Sequence, residues 1–343
     1  MKFMKERRLL SELNKNYRSI QGVQPVITRK QYRSTIFTDI EEKRIAYYLG
    51  NVTAQVTPMH KDTRAIKHEG DPKNILAMNY RGFINAVYED RRFKGFCYPI
   101  IRSLNILGEK YKRKYVFLVG GDNSRRFVRN GLLAKTRVIG DAEISLLKLK
   151  PQRHWQNLLD VASIDMAYKQ KKSMVVWRGG TTGGVSKVVQ RLDLVSRYYD
   201  SEKFDIGFST VVQNKNVEER YIKGLLGRDE QLAYKFLASV EGNDVSTALK
   251  WMLVSRSVVL MPLPSIESWL MEGLLVPFEH YVPLENDFSD LEEKFEWAMS
   301  NESECMAISQ NAREYMRPFL DLEREILIEC EVLKRYLDNV ELV

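Results

Sequence analysis

An apolar run, Ser173-Met174-Val175-Val176-Trp177, leads into Arg178-Gly179-Gly180-Thr181-Thr182-Gly183-Gly184, and helical spacing follows from Val185 to about Tyr199. A glycine-rich turn between a strand and a helix leaves backbone N–H groups unpaired at the positive end of the helix dipole, where a phosphate can be met. Arg178 adds a permanent charge and a bidentate fork. Thr181 and Thr182 add hydroxyls able to cap the helix, and Arg191 and Arg197 lie two or more turns along it. The bend is neither a Walker A loop, since Val185-Ser186 stands where Lys-Ser/Thr is required, nor GxGxxG. A tight turn with Arg178 in a structural ion pair fits the same residues, and the local pattern leaves both open.

Three further places carry usable groups. Tyr115-Val116-Phe117-Leu118-Val119 reads as a buried strand that ends at Gly120-Gly121-Asp122. A carboxylate there can face a cleft and act as a general base, although Asp-Asn-Ser is also ordinary turn chemistry. In Glu241-Gly242-Asn243-Asp244-Val245-Ser246, Asn243 and Asp244 can fix sugar or ribose hydroxyls, with Lys250 on the following helix able to meet a phosphate. The competing role is a helix N-cap by Asn243, Asp244 or Ser246. Finally, Pro262 to Gly273 follows a third apolar run, Ser257 to Met261. Glu267 and Glu272 can accept from sugar hydroxyls and Trp269 can form an apolar wall, or Trp269 is core and the glutamates are solvated. His280, before Val282-Pro283-Leu284, reads as structural.

Strands alternating with helices imply parallel α/β layers. Glu41 to Glu89 reads as short strand-like pieces and turns, Phe204 to Phe208 as a strand, Asp229 to Ala238 and Thr247 to Val254 as helices, and about Leu291 to Val340 as helical. Two blocks split near residues 145–165 predict two Rossmann-like domains facing a cleft. The expected division is 1–155, a first Rossmann-like domain; 156–320, a second; and 321–343, a C-terminal helix packing back on the first. In open parallel sheets, ligands bind beyond the carboxyl ends of the strands, and Asp122, Arg178 and the residues after Met261 all fall there.

Composition narrows the classes. The 343 residues carry a net charge of +8 and 44% hydrophobic residues, enough for a core without staples. Basic residues are scattered rather than interleaved with aromatics, which argues against a nucleic-acid partner. Cys97, Cys305 and Cys330 form no CxxC, and with four histidines no zinc pattern arises; three reduced thiols are expected. The start, Met1 to Arg8, lacks the apolar centre of a signal peptide, and no run approaches the ~20 apolar residues of a membrane span. The expected location is therefore cytoplasmic. The first ~20 residues read as a basic amphipathic helix. This helix and Lys110-Tyr111-Lys112-Arg113-Lys114 can touch an anionic membrane peripherally, or be solvated surface charge.

Together the motifs resemble those of glycosyltransferase family 90. Trp177 to Gly183 resembles its WRG-x-T-TG signature, Glu241 to Ser246 with Leu249-Lys250-Trp251 its EGND block, and Ser257 to Trp269 with His280 to Leu284 its C-terminal block. The family includes lipopolysaccharide-modifying enzymes, capsule xylosyltransferases and protein O-glucosyltransferases and O-xylosyltransferases. The likeness runs from roughly Tyr115 to Leu320 and implies a two-domain GT-B fold, a UDP-sugar donor and inversion without a required metal or other cofactor. It implies Asp122 as the base, although Gly121 stands where protein-modifying members have Arg. Ala248 stands where they have a diphosphate-binding Arg, so Lys250, Arg178 or Arg191 would carry that charge. Arg178 with Gly179, Gly180, Thr181, Thr182 and Gly183 would hold the diphosphate, and Asn243, Asp244, Ser246 and Glu272 would meet sugar or ribose hydroxyls. The acceptor would be a hydroxyl of a surface polysaccharide, glycolipid or glycoprotein glycan, and the sugar xylose or glucose. A non-catalytic nucleotide- or carbohydrate-binding protein on the same scaffold is the alternative.

Overall fold

The computed structural model describes residues 26–53, 57–59, 75–90, 93–123, 131–183, 191–213 and 216–342. The proposed N-terminal amphipathic helix and residues 184–190 of the helix after the glycine bend lie outside them. The chain forms two compact units, Met1–Gln156 with Asp321–Val343, and Asn157–Leu320.

In the first unit, α1 (Asp39–Leu49) starts at a capping box made by Thr38 and Glu41. Helix α2 (Tyr80–Glu89) is capped by Asn79 and buries Tyr80, Phe83, Ile84 and Val87, an i, i+3, i+4, i+7 stripe. The stretch 41–89 is thus largely helical where described, not the strand-like pieces its mixed composition suggests. Helix α3 (Lys94–Leu107) follows. Strands β1 (Ile75–Met78), β2 (Val116–Val119), β3 (Leu132–Ala134) and β4 (Ile144–Leu146) lie side by side in that order. Strand β1 runs antiparallel to β2, whereas β2–β3 and β3–β4 are parallel. This mixed sheet differs from the expected parallel Rossmann-like layer. Strand β1 is only half-buried beyond its first residue, as an edge strand tolerates, while β2 is buried throughout.

The second unit holds five parallel strands: β5 (Lys172–Gly180), β6 (Phe204–Thr210), β7 (Tyr234–Ala238), β8 (Val258–Pro262) and β9 (Val282–Leu284). Their spatial order is β9-β8-β7-β5-β6. Counted from the unit's first strand this is 2-1-3-4-5, a doubly wound order that reverses between β5 and β7. Helices α4 (Arg191–Tyr198), α5 (Leu249–Val254), α6 (Leu291–Ser300) and α7 (Glu302–Met316) complete the unit. The core joins Val175, Trp177, Ile206, Phe236, Leu260, Val282 and Phe295. Residues 229–238 are not the expected helix. Only Arg228–Gln231 is helical, and Tyr234 to Ala238 becomes the central strand between β5 and β8.

The chain then returns to the first unit as α8 (Leu322–Asn339), whose N-cap Asp321 accepts from the backbone of Glu323 and Arg324. Buried Glu325 meets Arg44 at 2.7 Å and also Lys148, and Glu329 meets Arg102 at 2.8 Å. Residues Val340–Leu342 pair in parallel with Thr57–Met59. All three cysteines are buried thiols without a bridge. Among the described residues, no helix is long and apolar enough to cross a membrane.

Candidate functional site

The reversal point between β5 and β7 is where the glycine bend lies. Strand β5 extends through Gly180, so Gly179 and Gly180 are strand rather than loop. Trp177 enters the core edge-on to Phe208, with ring centroids 5.7 Å apart. A Cβ on Gly179 would come within 2.6 Å of the Trp177 ring, so the close approach of indole to backbone requires glycine there. Gly183 has φ +123°, in the left-handed region, and its N–H donates to Asn243 Oδ1 at 3.1 Å. Asn243 Oδ1 also accepts from Gln213 Nε2 at 3.0 Å. Thr181 Oγ1 donates to Val212 O at 2.7 Å and accepts from Val212 N at 2.8 Å, tying the bend to the loop after β6.

Arg191, at the start of α4, closes the arrangement. Its Nη1 donates to Gly180 O (2.8 Å) and Thr182 Oγ1 (2.7 Å), its Nη2 to Val240 O (3.0 Å) and its Nε to Glu241 O (3.0 Å). The guanidinium also lies 5.6 Å from the centre of the Trp177 ring. One cation thus clasps the segments leaving β5 and β7, at the place where a doubly wound sheet forms its ligand crevice. A Cβ on Gly242 would stand 2.9 Å from Arg191 Nη2 and 3.0 Å from Thr182 Oγ1, so the clasp needs glycine there too.

Arg178 takes the structural ion pair. Side chains alternate along β5, so Arg178 lies on the face opposite Trp177 and meets Asp205 of β6 at 2.6 Å. Tyr234 donates to the same carboxylate at 3.0 Å, and Lys223 lies 3.5 Å away. Burial pushes the Asp205 carboxyl up, but Arg178, Tyr234 and Lys223 outweigh it and hold it below the usual carboxylate range. Arg178 thereby anchors β5 to β6.

Beside the crevice, at the carboxyl ends of β7 and β8, is a small recess of about 20 Å³. Ser239, Glu241, Ser246, Met261 and Glu272 are among its lining residues. Glu241 spans its rim, accepting from Ser265 N (2.9 Å), Ser265 Oγ (2.5 Å) and Ile266 N (3.1 Å). Lys250 is fully buried and held by Glu272 at 2.6 Å. Glu272 further accepts from Ser268 N at 2.6 Å and Ser268 Oγ at 2.9 Å. Asp244 is buried, and its carbonyl accepts from Gly242 N at 3.0 Å. Glu267 and Trp269 are buried as well, so Glu267 and Glu272 are not the solvated carboxylates a surface reading would give. Ser239 is 4% exposed, and its Oγ has no hydrogen-bond partner among the described residues. Sequence reasoning misses Ser239, because it ends the strand that reads as helix.

Asp122 belongs to the first unit, just beyond β2. Lys135, itself buried, donates to Asp122 Oδ1 at 2.8 Å. Asn123 Nδ2 donates to Thr136 O at 3.2 Å and Thr136 Oγ1 to Asn123 O at 3.1 Å, which fixes the turn. His280 has the structural role read for it, its Nδ1 accepting from Val276 N at 2.9 Å.

Comparison with known proteins places the chain among glycosyltransferase relatives. The O-glucosyltransferase LpsA of Dichelobacter nodosus is 33% identical over 196 residues, 57% of this chain and 58% of the relative. Human protein O-glucosyltransferase 3 is 30% identical over 116 residues, 34% of this chain and 22% of the relative. An uncharacterized protein, 035R, of Invertebrate iridescent virus 3 is 37% identical over 100 residues, 29% of this chain and 9% of the relative. The chain thus spans little more than half the length of the first of these and much less of the others. The family model described as Glycosyl transferase family 90 matches residues 138–340, which take in the bend, the clasp and the recess. On that match over more than half its length, the chain belongs to glycosyl transferase family 90.

Proposed function

We propose that this protein is an inverting glycosyltransferase that moves a sugar from a UDP-sugar to a hydroxyl of a glycan, glycolipid or glycoprotein, without a required metal ion. The observation that carries this is the Arg191 clasp at the sheet's reversal point, in a chain of this family. Departing UDP gains negative charge in the transition state, and a fixed cation with oriented N–H groups stabilises it where water is excluded. In this reading Arg191 and the Gly179–Gly183 bend supply that field. Ser239 and Ser246 meet hydroxyls of the donor in the recess, with Glu272 kept in place by Lys250. Inversion requires a base on the face opposite the leaving group, a task we assign to Asp122. Two relatives are named O-glucosyltransferases, which makes glucose the first donor to try and xylose the second.

The test is UDP release from UDP-glucose, UDP-xylose, UDP-galactose and UDP-N-acetylglucosamine, with EDTA and then with Mn²⁺. Saturable release from one donor that persists in EDTA is expected. Release that stops in EDTA and returns with Mn²⁺ would overturn the metal-free part. Saturable binding of UDP-sugars with no release, with and without acceptor glycans, would make this a binding protein instead.

A further inference from the structure

At the amino ends of the second unit's strands, opposite the bend, lies another recess, open to solvent and of about 350 Å³. Tyr168 and Lys169 reach it from the short turn before β5, Arg256 from the segment before β8, and Met306, Ser309 and Arg313 from one face of α7. Three cations and no carboxylate are among its lining residues.

The nearby acids already have partners, and one of them, Asp165, braces Arg256. Asp165, almost fully buried, bonds Lys171 Nζ and accepts from Arg256 N at 2.6 Å. Arg256 Nη1 donates to Asp165 O at 3.1 Å and stands 4.0 Å from the Asp165 carboxylate. Glu314 pairs with Arg317 at 3.1 Å. Arg313 is half-buried and has no hydrogen bond or ion pair among the described residues, and its Nε is sealed from solvent. Burial pushes the Arg313 guanidinium down and Arg256 pushes it further, only partly opposed by Asp165 and Glu314. Burial likewise lowers Lys171, with Arg256 adding to the shift against Asp165. A guanidinium whose Nε is removed from water without an acceptor raises the energy of the empty state, and an anion lending its oxygens recovers part of that energy.

We propose that this recess is a second anion site, one that takes an organic phosphate. Its oxygens would engage Arg313 and Arg256 with Lys169 at the mouth, and its carbon skeleton would rest on Tyr168 and Met306. The site is independent of the UDP-sugar reading.

The test titrates the full chain with inorganic phosphate and with phenyl phosphate by calorimetry, alone and with saturating UDP. Saturable binding of both is expected, with phenyl phosphate several-fold tighter; UDP, itself an organic phosphate, can share the site, so the Arg313 and Arg256 variants carry the assignment. Arg313→Met keeps an apolar stem of similar length, and Arg256→Gln preserves a donor. Each should weaken binding at least about tenfold, a loss of about 1.4 kcal/mol, while thermal melting shows that both variants are folded. Unchanged binding in Arg313→Met, or no saturable binding by about 10 mM, a weakness beyond about −3 kcal/mol, would each overturn the proposal. Failure of UDP itself to bind would count against the proposed transferase while leaving the Arg313 result to be read by itself.

Discussion

Arg191 is the residue on which the crevice depends, because one side chain bonds both segments that meet there. Arg191→Ala should leave three backbone carbonyls without this donor, cost about 2–3 kcal/mol of stability and weaken UDP binding by about tenfold or more. Urea unfolding and calorimetry read the two effects, and unaltered UDP affinity would remove Arg191 from the nucleotide site. Asp122 predicts the reverse profile. Asp122→Asn retains the turn and a bond from Lys135, yet cannot take a proton, so turnover should fall by about 10²-fold or more while UDP affinity stays within a few fold. Undiminished turnover would assign the base elsewhere. His280 gives a pH signature, since its Nδ1 accepts a backbone N–H and must be unprotonated. Burial pushes its pKa below the ordinary value of 6.5, against a smaller pull from Glu279. Below about pH 6.5 the unfolded chain therefore binds a proton that the folded chain resists, and stability falls with falling pH until the folded pKa is passed. His280→Asn keeps an acceptor for Val276 N–H and should flatten that slope; an identical pH profile would contradict it.

At the scale of elements, β2, β5 and β8 are readable as short apolar runs that lead to glycine or proline, and β6 as a shorter apolar patch around Gly207. Strand β7 is not, because Leu232 to Ala238 is an apolar run that suits helix and strand alike, and only its place between β5 and β8 decides. The short strands β3 and β4 carry no pattern long enough to read. The bend and the Glu241–Ser246 block are legible because glycine geometry is local. The partners that hold Arg178 and Lys250 are not, since Asp205 and Glu272 stand 27 and 22 residues away and meet them only through tertiary register. Helix α8 illustrates such distant pairing energetically. Its Glu325 is 2% exposed and holds Arg44 and Lys148. Burial draws the Lys148 ammonium down to about 8 despite that partner. Glu325→Gln preserves shape but removes the charge that compensates two buried cations, so it should cost about 3–5 kcal/mol in urea unfolding. A loss below about 1 kcal/mol, the worth of an exposed pair, would mean that water or another acid already compensates them.

For the whole molecule, the decisive feature is that the first unit is discontinuous and the second is not. Helix α8 supplies the first unit with buried Ile326, Leu333, Tyr336 and Leu337, and Tyr336 bonds Gly131 O at 2.7 Å and Phe117 N at 3.1 Å. A chain ending at Leu320 lacks that layer and also the strand paired with Thr57–Met59. Residues 157–320, in contrast, retain the five-stranded sheet, their core, the Arg191 clasp and the recess. A segment of that size with its own core can fold alone. Expressed alone, it should melt cooperatively and bind UDP within about tenfold, or about 1.4 kcal/mol, of the full chain, yet release no UDP by transfer, because Asp122 is missing. A chain of residues 1–320 should expose the first unit to protease while protecting the second. If the isolated segment folds but loses UDP affinity by far more than tenfold, the nucleotide needs groups from the first unit and the assignment of the donor site to the clasp and recess alone is wrong. If it both binds the donor and transfers sugar, Asp122 is not the base.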